Sequence, residues 1–103
     1  MAVELAKQGT EWSLSLSGAV GIADAVTLHG YARDVLAGTN RGVVVRLREL
    51  KGIDTSITQI LLVLKRELTR DGRACTLQGP PASVVDKWRI AGFDEHLDCR
   101  PGA

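Results

Sequence analysis

Aromatic side chains are almost missing from this chain: two Trp, one Tyr and one Phe among 103 residues, or 4%. Rings therefore cannot build the interior. Val, Leu, Ile and Ala must do so, within a hydrophobic fraction of 45% that suits a globular protein and argues against disorder. Charge of one sign is also lacking. Thirteen basic against twelve acidic residues leave a net charge of +1. With so few rings for base stacking, that balance argues against nucleic-acid binding. No apolar run approaches the ~20 residues that span a bilayer. The longest, Ile60 to Leu64, is core-sized, and the N-terminus carries no signal-peptide pattern. A soluble cytoplasmic domain without direct membrane insertion is the expectation.

Cysteine is equally sparse. Cys75 sits in the run Arg73-Ala74-Cys75-Thr76-Leu77, where a thiol acts as a small hydrophobe. Cys99 belongs to the polar tail 98–103. Neither has zinc-ligand spacing, and a disulfide is not expected in a cytoplasmic protein, so no metal and no cofactor is implied. His29 and His96 have no Ser or Cys partner in a nucleophile motif. Gly18-Ala19-Val20-Gly21 lacks the length, the Lys and the Ser/Thr of a phosphate cradle. Asp94-Glu95 reads as a solvated turn, not a hydrolytic carboxylate pair. No enzyme is expected.

What is present is an ordered β-β-α-β-α-β-α pattern. Val3 to Ala6 is a weak strand closed by a turn at Gln8-Gly9-Thr10. Trp12 to Ser17 alternates apolar and polar residues, as a strand with one buried face does. Gly18 and Gly21 loosen the chain before a helix from about Asp24 to Ala37, whose apolar face is Ala25, Leu28, Ala32, Val35 and Leu36, with Gly38 as its C-cap. Val43 to Leu47 is β-branched and strand-like, and Lys51-Gly52 reads as a brief connection. Apolar residues then recur at helical spacing from Ile57 to Leu68. Gly72 precedes the strand from Arg73, and Gly79-Pro80-Pro81 precedes a last helix, Ala82 to Ile90. Trp12 and Trp88 are expected at the core's edges, or at an interface. Right-handed crossovers imply an α/β fold: a mixed, mostly parallel four- to five-stranded sheet, an antiparallel N-terminal strand, and three to four helices.

The junction Ile53-Asp54-Thr55-Ser56 carries the most information. Asp, Thr and Ser cap helix starts, and Ser56 with Gln59 has capping-box spacing. The same hydroxyls lie where free N–H groups and the positive dipole end would receive a phosphate. The junction is thus either a plain cap or a phosphorylation switch. Arg46 and Arg48, two apart on one strand face with Val44, are candidate anion contacts near that junction, or else a solvated strand end.

Taken in order, Leu16-Ser17-Gly18, the Val43–Leu47 strand, Ile53-Asp54-Thr55-Ser56, Gly72, and Ile90-Ala91-Gly92-Phe93 resemble a STAS domain. The resemblance covers about residues 10 to 97, leaving 98–103 as a tail of one domain, 1–103. It implies a protein-interaction switch similar to anti-sigma factor antagonists. Thr55 would be the phosphoacceptor, because the family modifies the residue directly after the Asp, with Ser56 the lesser candidate. The implied partner-binding set is Asp24, Asp54, Thr55, Ser56, Ile57, Thr58 and Gln59. The implied partner is an anti-sigma factor or a related serine/threonine-kinase-like ATPase. The alternative is an unphosphorylated subunit docked on a transporter ATPase or membrane component; a homodimer is left open. Ala19 and Gly21 stand where many members carry acidic residues, Arg46 where an Asp is frequent, and Ile57 where a Gly is usual. Those four positions favour the docking alternative.

Overall fold

A computed structural model describes residues 2–93. Strands β1 (Val3–Ala6) and β2 (Glu11–Val20) form a hairpin, and a short 3-10 turn, Ile22–Asp24, leads into α1 (Ala25–Ala37). Then follow β3 (Gly42–Ile53), α2 (Thr55–Arg70), β4 (Ala74–Gln78) and α3 (Ala82–Ala91). The sheet has four strands in the order β1-β2-β3-β4, with β1 antiparallel to β2 and the other two pairings parallel. His96, Cys99, the Asp94-Glu95 turn and the tail 98–103 lie outside the described residues.

Alternation along the strands decides where the interior lies. Val3, Leu14, Leu16, Val43, Val45, Leu47, Cys75 and Leu77 are buried on one face. The opposite face carries Ser13, Ser15 and Ser17 of β2, Arg46 of β3, and Thr76 and Gln78 of β4. The sheet is therefore packed on one side. Helix α2 meets the core with Ile57, Leu61, Leu64 and Leu68, spaced i, i+4, i+7 and i+11. Each such fully buried side chain contributes on the order of 1.5–3 kcal/mol relative to exposure. Helix α1 adds Leu28, Ala32 and Val35, and α3 adds Val84 and Trp88.

Two readings of the sequence need correction. Lys51-Gly52 is not a connection but the end of a 12-residue strand. Register explains why the pattern hid it: Ser15 pairs Arg46 but Ser17 pairs Glu49, and Gly18 pairs Leu50 but Ala19 pairs Gly52. β3 thus holds two extra residues, and each bulge interrupts the period-two pattern, leaving Arg48 and Glu49 both exposed. Gly18, at φ 72°, sits between the two irregularities. Second, Trp88 is not at an edge; it is among the largest fully buried side chains. Gly38 caps α1 as the sequence suggests, with an extended backbone. Its reason is space: a Cβ there would stand 2.5 Å from the Trp12 ring.

Opposite ends of the sheet are finished differently. At the amino ends of the parallel strands, the Arg73 guanidinium donates to the carbonyls of Val35 (3.1 Å), Leu36 (2.8 Å) and Gly38 (3.3 Å). These carbonyls terminate α1, where a cation complements the negative dipole end. Arg73 Nε also lies 2.8 Å from Asp71 Oδ2 as an ion-pair contact, off the line of an aligned hydrogen bond. Replacement by Met leaves several part-buried carbonyls without their charged donor. Arg73→Met should lower unfolding free energy by about 2–3 kcal/mol in urea titration. Arg66→Met, on the exposed face of α2, should change it by less than ~0.5 kcal/mol.

Candidate functional site

The carboxyl ends of β2 and β3 converge at the other end of the sheet. Val20 pairs Ile53, and Asp54 N donates to Val20 O at 3.3 Å. The bulges in β3 let the two strands finish side by side despite their unequal lengths. As a result the starts of α1 and α2 stand together, with the Cβ position of Gly21 only 3.3 Å from Asp54 Oδ2. Open α/β sheets present their ligand surfaces at this strand end.

Asp54 is the N-cap of α2: extended backbone, with its Oδ1 accepting from Ile57 N at 3.3 Å. Ser56 Oγ donates to the same oxygen at 2.6 Å. The sequence expectation of a Ser56–Gln59 capping box is therefore corrected; Ser56 supports the cap that Asp54 makes. The Ser56 hydroxyl is the main cause that holds the Asp54 carboxyl below the ordinary carboxylate range; desolvation opposes it, and backbone N–H donors led by Ile57 add to it.

Thr58, one turn into α2, is 3% exposed. Its Oγ1 accepts from Trp88 Nε1 at 2.9 Å and donates to Asp54 O at 3.1 Å. Ile57 is 0% exposed and lies in the core. Burial removes both from the surface set expected from the sequence: Ile57 packs, and Thr58 bonds inward. Asp24 is half-buried and turned back on its own chain, its Oδ2 accepting from Gly21 N at 3.1 Å. Thr55 and Gln59 remain exposed, and Ser56 is half-buried.

Arg46 and Arg48 do not join this site. They line a cleft on the open sheet face with Ser15, Ser17, Glu49 and Gln78. Six to eight residues of extended chain, ~20–26 Å, separate them from Asp54. The sequence expectation of an anion site near the junction is corrected accordingly. Cys75 is buried beneath the sheet, and desolvation pushes its thiol up to about 11, only partly countered by nearby Lys65.

Sequence reasoning missed the apolar surface beside Thr55. Ile22 and Val26 are 77% and 83% exposed. Between α1 and α2 runs a groove of about 390 Å³, floored by Ala32, Leu36, Ile60, Val63 and Leu64, with Ser56 at its head. A signal for it existed: Val26 falls off the Ala25–Leu28–Ala32–Val35 stripe. Moreover, a five-residue apolar run, Ile60 to Leu64, cannot bury every member on one helix face.

The family model described as "Mlab, STAS domain" matches residues 3–98. No curated protein sequence matches the chain. Among solved structures, the chain is similar to an RsbS variant from Moorella thermoacetica at 17% identity and a TM-score of 0.79, covering 100% of this chain and 86% of that one. It is similar to the Bacillus cell fate determinant SpoIIAA in its phosphorylated form at 16% identity and a TM-score of 0.76, covering 91% and 86%. A sulfate transporter family protein from Wolinella succinogenes gives 22% identity and a TM-score of 0.70, covering 91% and 75%. Against the crystal structure of Mglu the chain spans only 20% of that protein's length, at 24% identity and a TM-score of 0.67. These likenesses establish the fold. No helix among the described residues is long and apolar enough to cross a membrane.

The cap predicts a pH dependence. A carboxyl lowered on folding adds stability that is fully present above its unfolded pKa and is lost as pH falls through the lower, folded value. Asp54→Asn should therefore melt below the wild type near neutral pH, and the gap should close as pH falls below about 4. Thermal melts by circular dichroism at several pH values check this. Thr58→Val, which strips Trp88 Nε1 of its buried acceptor, should cost about 1–3 kcal/mol at every pH.

Proposed function

The chain belongs to the STAS family, and from that premise we propose that it is a cytoplasmic protein-interaction switch controlled at Thr55. It binds a partner and does no chemistry on a substrate. One observation carries the reading: Thr55 is the exposed first residue of α2, while the capping is done by its neighbours Asp54 and Ser56. Its hydroxyl can change without the cap or the core changing. A phosphate there adds about −1.5 to −2 charge. The positive end of the α2 dipole favours it, and the exposed Asp54 carboxylate opposes it through solvent. The expected consequence is a changed surface on an intact fold. The likeness to SpoIIAA, an anti-sigma factor antagonist, supports an anti-sigma factor or a related serine/threonine-kinase-like ATPase as the partner.

A second reading has its own support. The matching family description, the Wolinella likeness and the buried Ile57 favour a subunit docked on a transporter ATPase or membrane component, with Thr55 a helix residue only.

Affinity capture of the tagged chain from its host, with quantitative mass spectrometry, separates the two. On the switch reading, a kinase-like ATPase held by the wild type falls at least ~10-fold with Thr55→Glu, a loss of about 1.4 kcal/mol or more in binding. The variant's circular dichroism melt stays within a few degrees of wild type. Transporter components retained equally by both proteins would make the chain a docking subunit. A collapsed melt would show that Thr55 acts through the fold.

A further inference from the structure

The groove between α1 and α2 is an unfilled trough between two helices that lie on one sheet face. We infer that it seats an amphipathic helix presented by a protein partner, with a carboxylate of that helix facing Arg33. This rests on the interaction-module reading above and gives the partner's contact its chemistry.

Shape, length and charge each bear on the occupant. A trough between neighbouring helices is filled by the ridge of a third. The stretch from Ser56 to Leu64 is nine residues, whose eight rises make ~12 Å of helix axis. Anchors at i, i+3 or i+4, and i+7 span nearly that length, as in helix-in-groove recognition. The floor accepts such anchors because Ile60, Val63 and Leu36 leave apolar surface toward it. An extended peptide is less well served, since the groove lies between helices and offers no strand edge to pair with.

Charge selects the polar side of the occupant. Among the groove-lining residues there is no carboxylate, and the fixed cation is Arg33. Arg33 is exposed and makes no ion pair among the described residues. The head of the groove, at Ser56, is the positive end of the α2 dipole, but the Asp54 carboxylate that accepts from Ser56 Oγ already complements it there. The Arg33 guanidinium on the groove wall is the feature that favours an acidic helix over a basic one. An anionic bilayer is a poorer fit, because one exposed arginine beside an apolar floor is far from a polybasic surface.

This occupant would also couple the two halves of the site. Thr55 precedes Ser56 at the groove's head, so a phosphate on Thr55 would stand at the end of a trough that holds an acidic helix. Repulsion between the two anions would expel the helix while the fold persists.

Photocrosslinking in the host tests the inference. A benzoylphenylalanine is placed at Gln59 and, separately, at His29 in the full chain, and adducts are mapped by mass spectrometry. The expected adduct joins both positions to one segment of another protein, with apolar residues at i, i+3 or i+4, and i+7 and a carboxylate between them. Arg33→Glu should lower its yield at least ~10-fold with an unchanged melt. Replacing the mapped carboxylate by Lys should restore it in the Arg33→Glu background. Adducts to a second copy of this chain, to lipid, or to a basic segment would overturn the inference. So would no adduct, or a yield indifferent to Arg33→Glu. If Thr55→Glu still releases a captured partner while the Gln59 and His29 probes find no such helix, the groove assignment falls and the switch stands. If no partner is captured by the wild type, both fall.

Discussion

A single threonine hydroxyl ties the starts and ends of this fold together. Thr58 Oγ1 accepts from the buried indole of Trp88 and donates to the carbonyl of Asp54, so α3, the first turn of α2 and the end of β3 share one bonded path. A hydroxyl has one proton and two lone pairs, which lets it serve both neighbours where an ammonium or a methyl could not. Because the indole is buried, it needs that acceptor; because Asp54 is held there, its carboxylate is aimed at Ile57 N–H and Ser56. The exposed Thr55 side chain therefore stands on a fixed frame. A chemical change at Thr55 would be read by whatever touches the surface, not absorbed by a flexible loop.

The two ends of the sheet are matched to the helix dipoles. Carboxylates of Asp24 and Asp54 sit at helix starts, and the Arg73 guanidinium closes the end of α1. One end is consequently committed to stability, and the other, where β2 and β3 both finish, carries the exposed hydroxyl and the apolar groove. The bulges in β3 make this arrangement, since they let strands of 10 and 12 residues end level. One-sided packing separates the surfaces further: the serine-lined face with Arg46 and Arg48 looks away from the helices. Any partner engaging α2 leaves that face open.

Much of the fold was legible in the residues. Period-two alternation from Trp12 to Ser17 and helical spacing from Ile57 to Leu68 are direct consequences of which face must leave water. Glycines and prolines marked nearly every boundary because few other residues tolerate those backbones or lack an N–H to bond. The end of β3 was not legible: two bulges put Arg48 and Glu49 both into solvent, and a broken alternation looks like a loop. The site was half legible. Asp54, Thr55 and Ser56 announce a helix start, but the residue type cannot say which of three polar neighbours caps, and Asp54 won because its carboxylate reaches two donors.

The sequence by itself determined the order of elements, the one-sided core and the position of the α2 start, since all three follow from short-range spacing of apolar and capping residues. Tertiary structure alone decided that Ile57 and Thr58 turn inward, that Arg46 and Arg48 belong to another face, and that Ile60 and Val63 border an open groove. The physical reason is that burial is a property of neighbours, and the neighbours that cover Thr58 or leave Val63 in water come from elements distant along the chain.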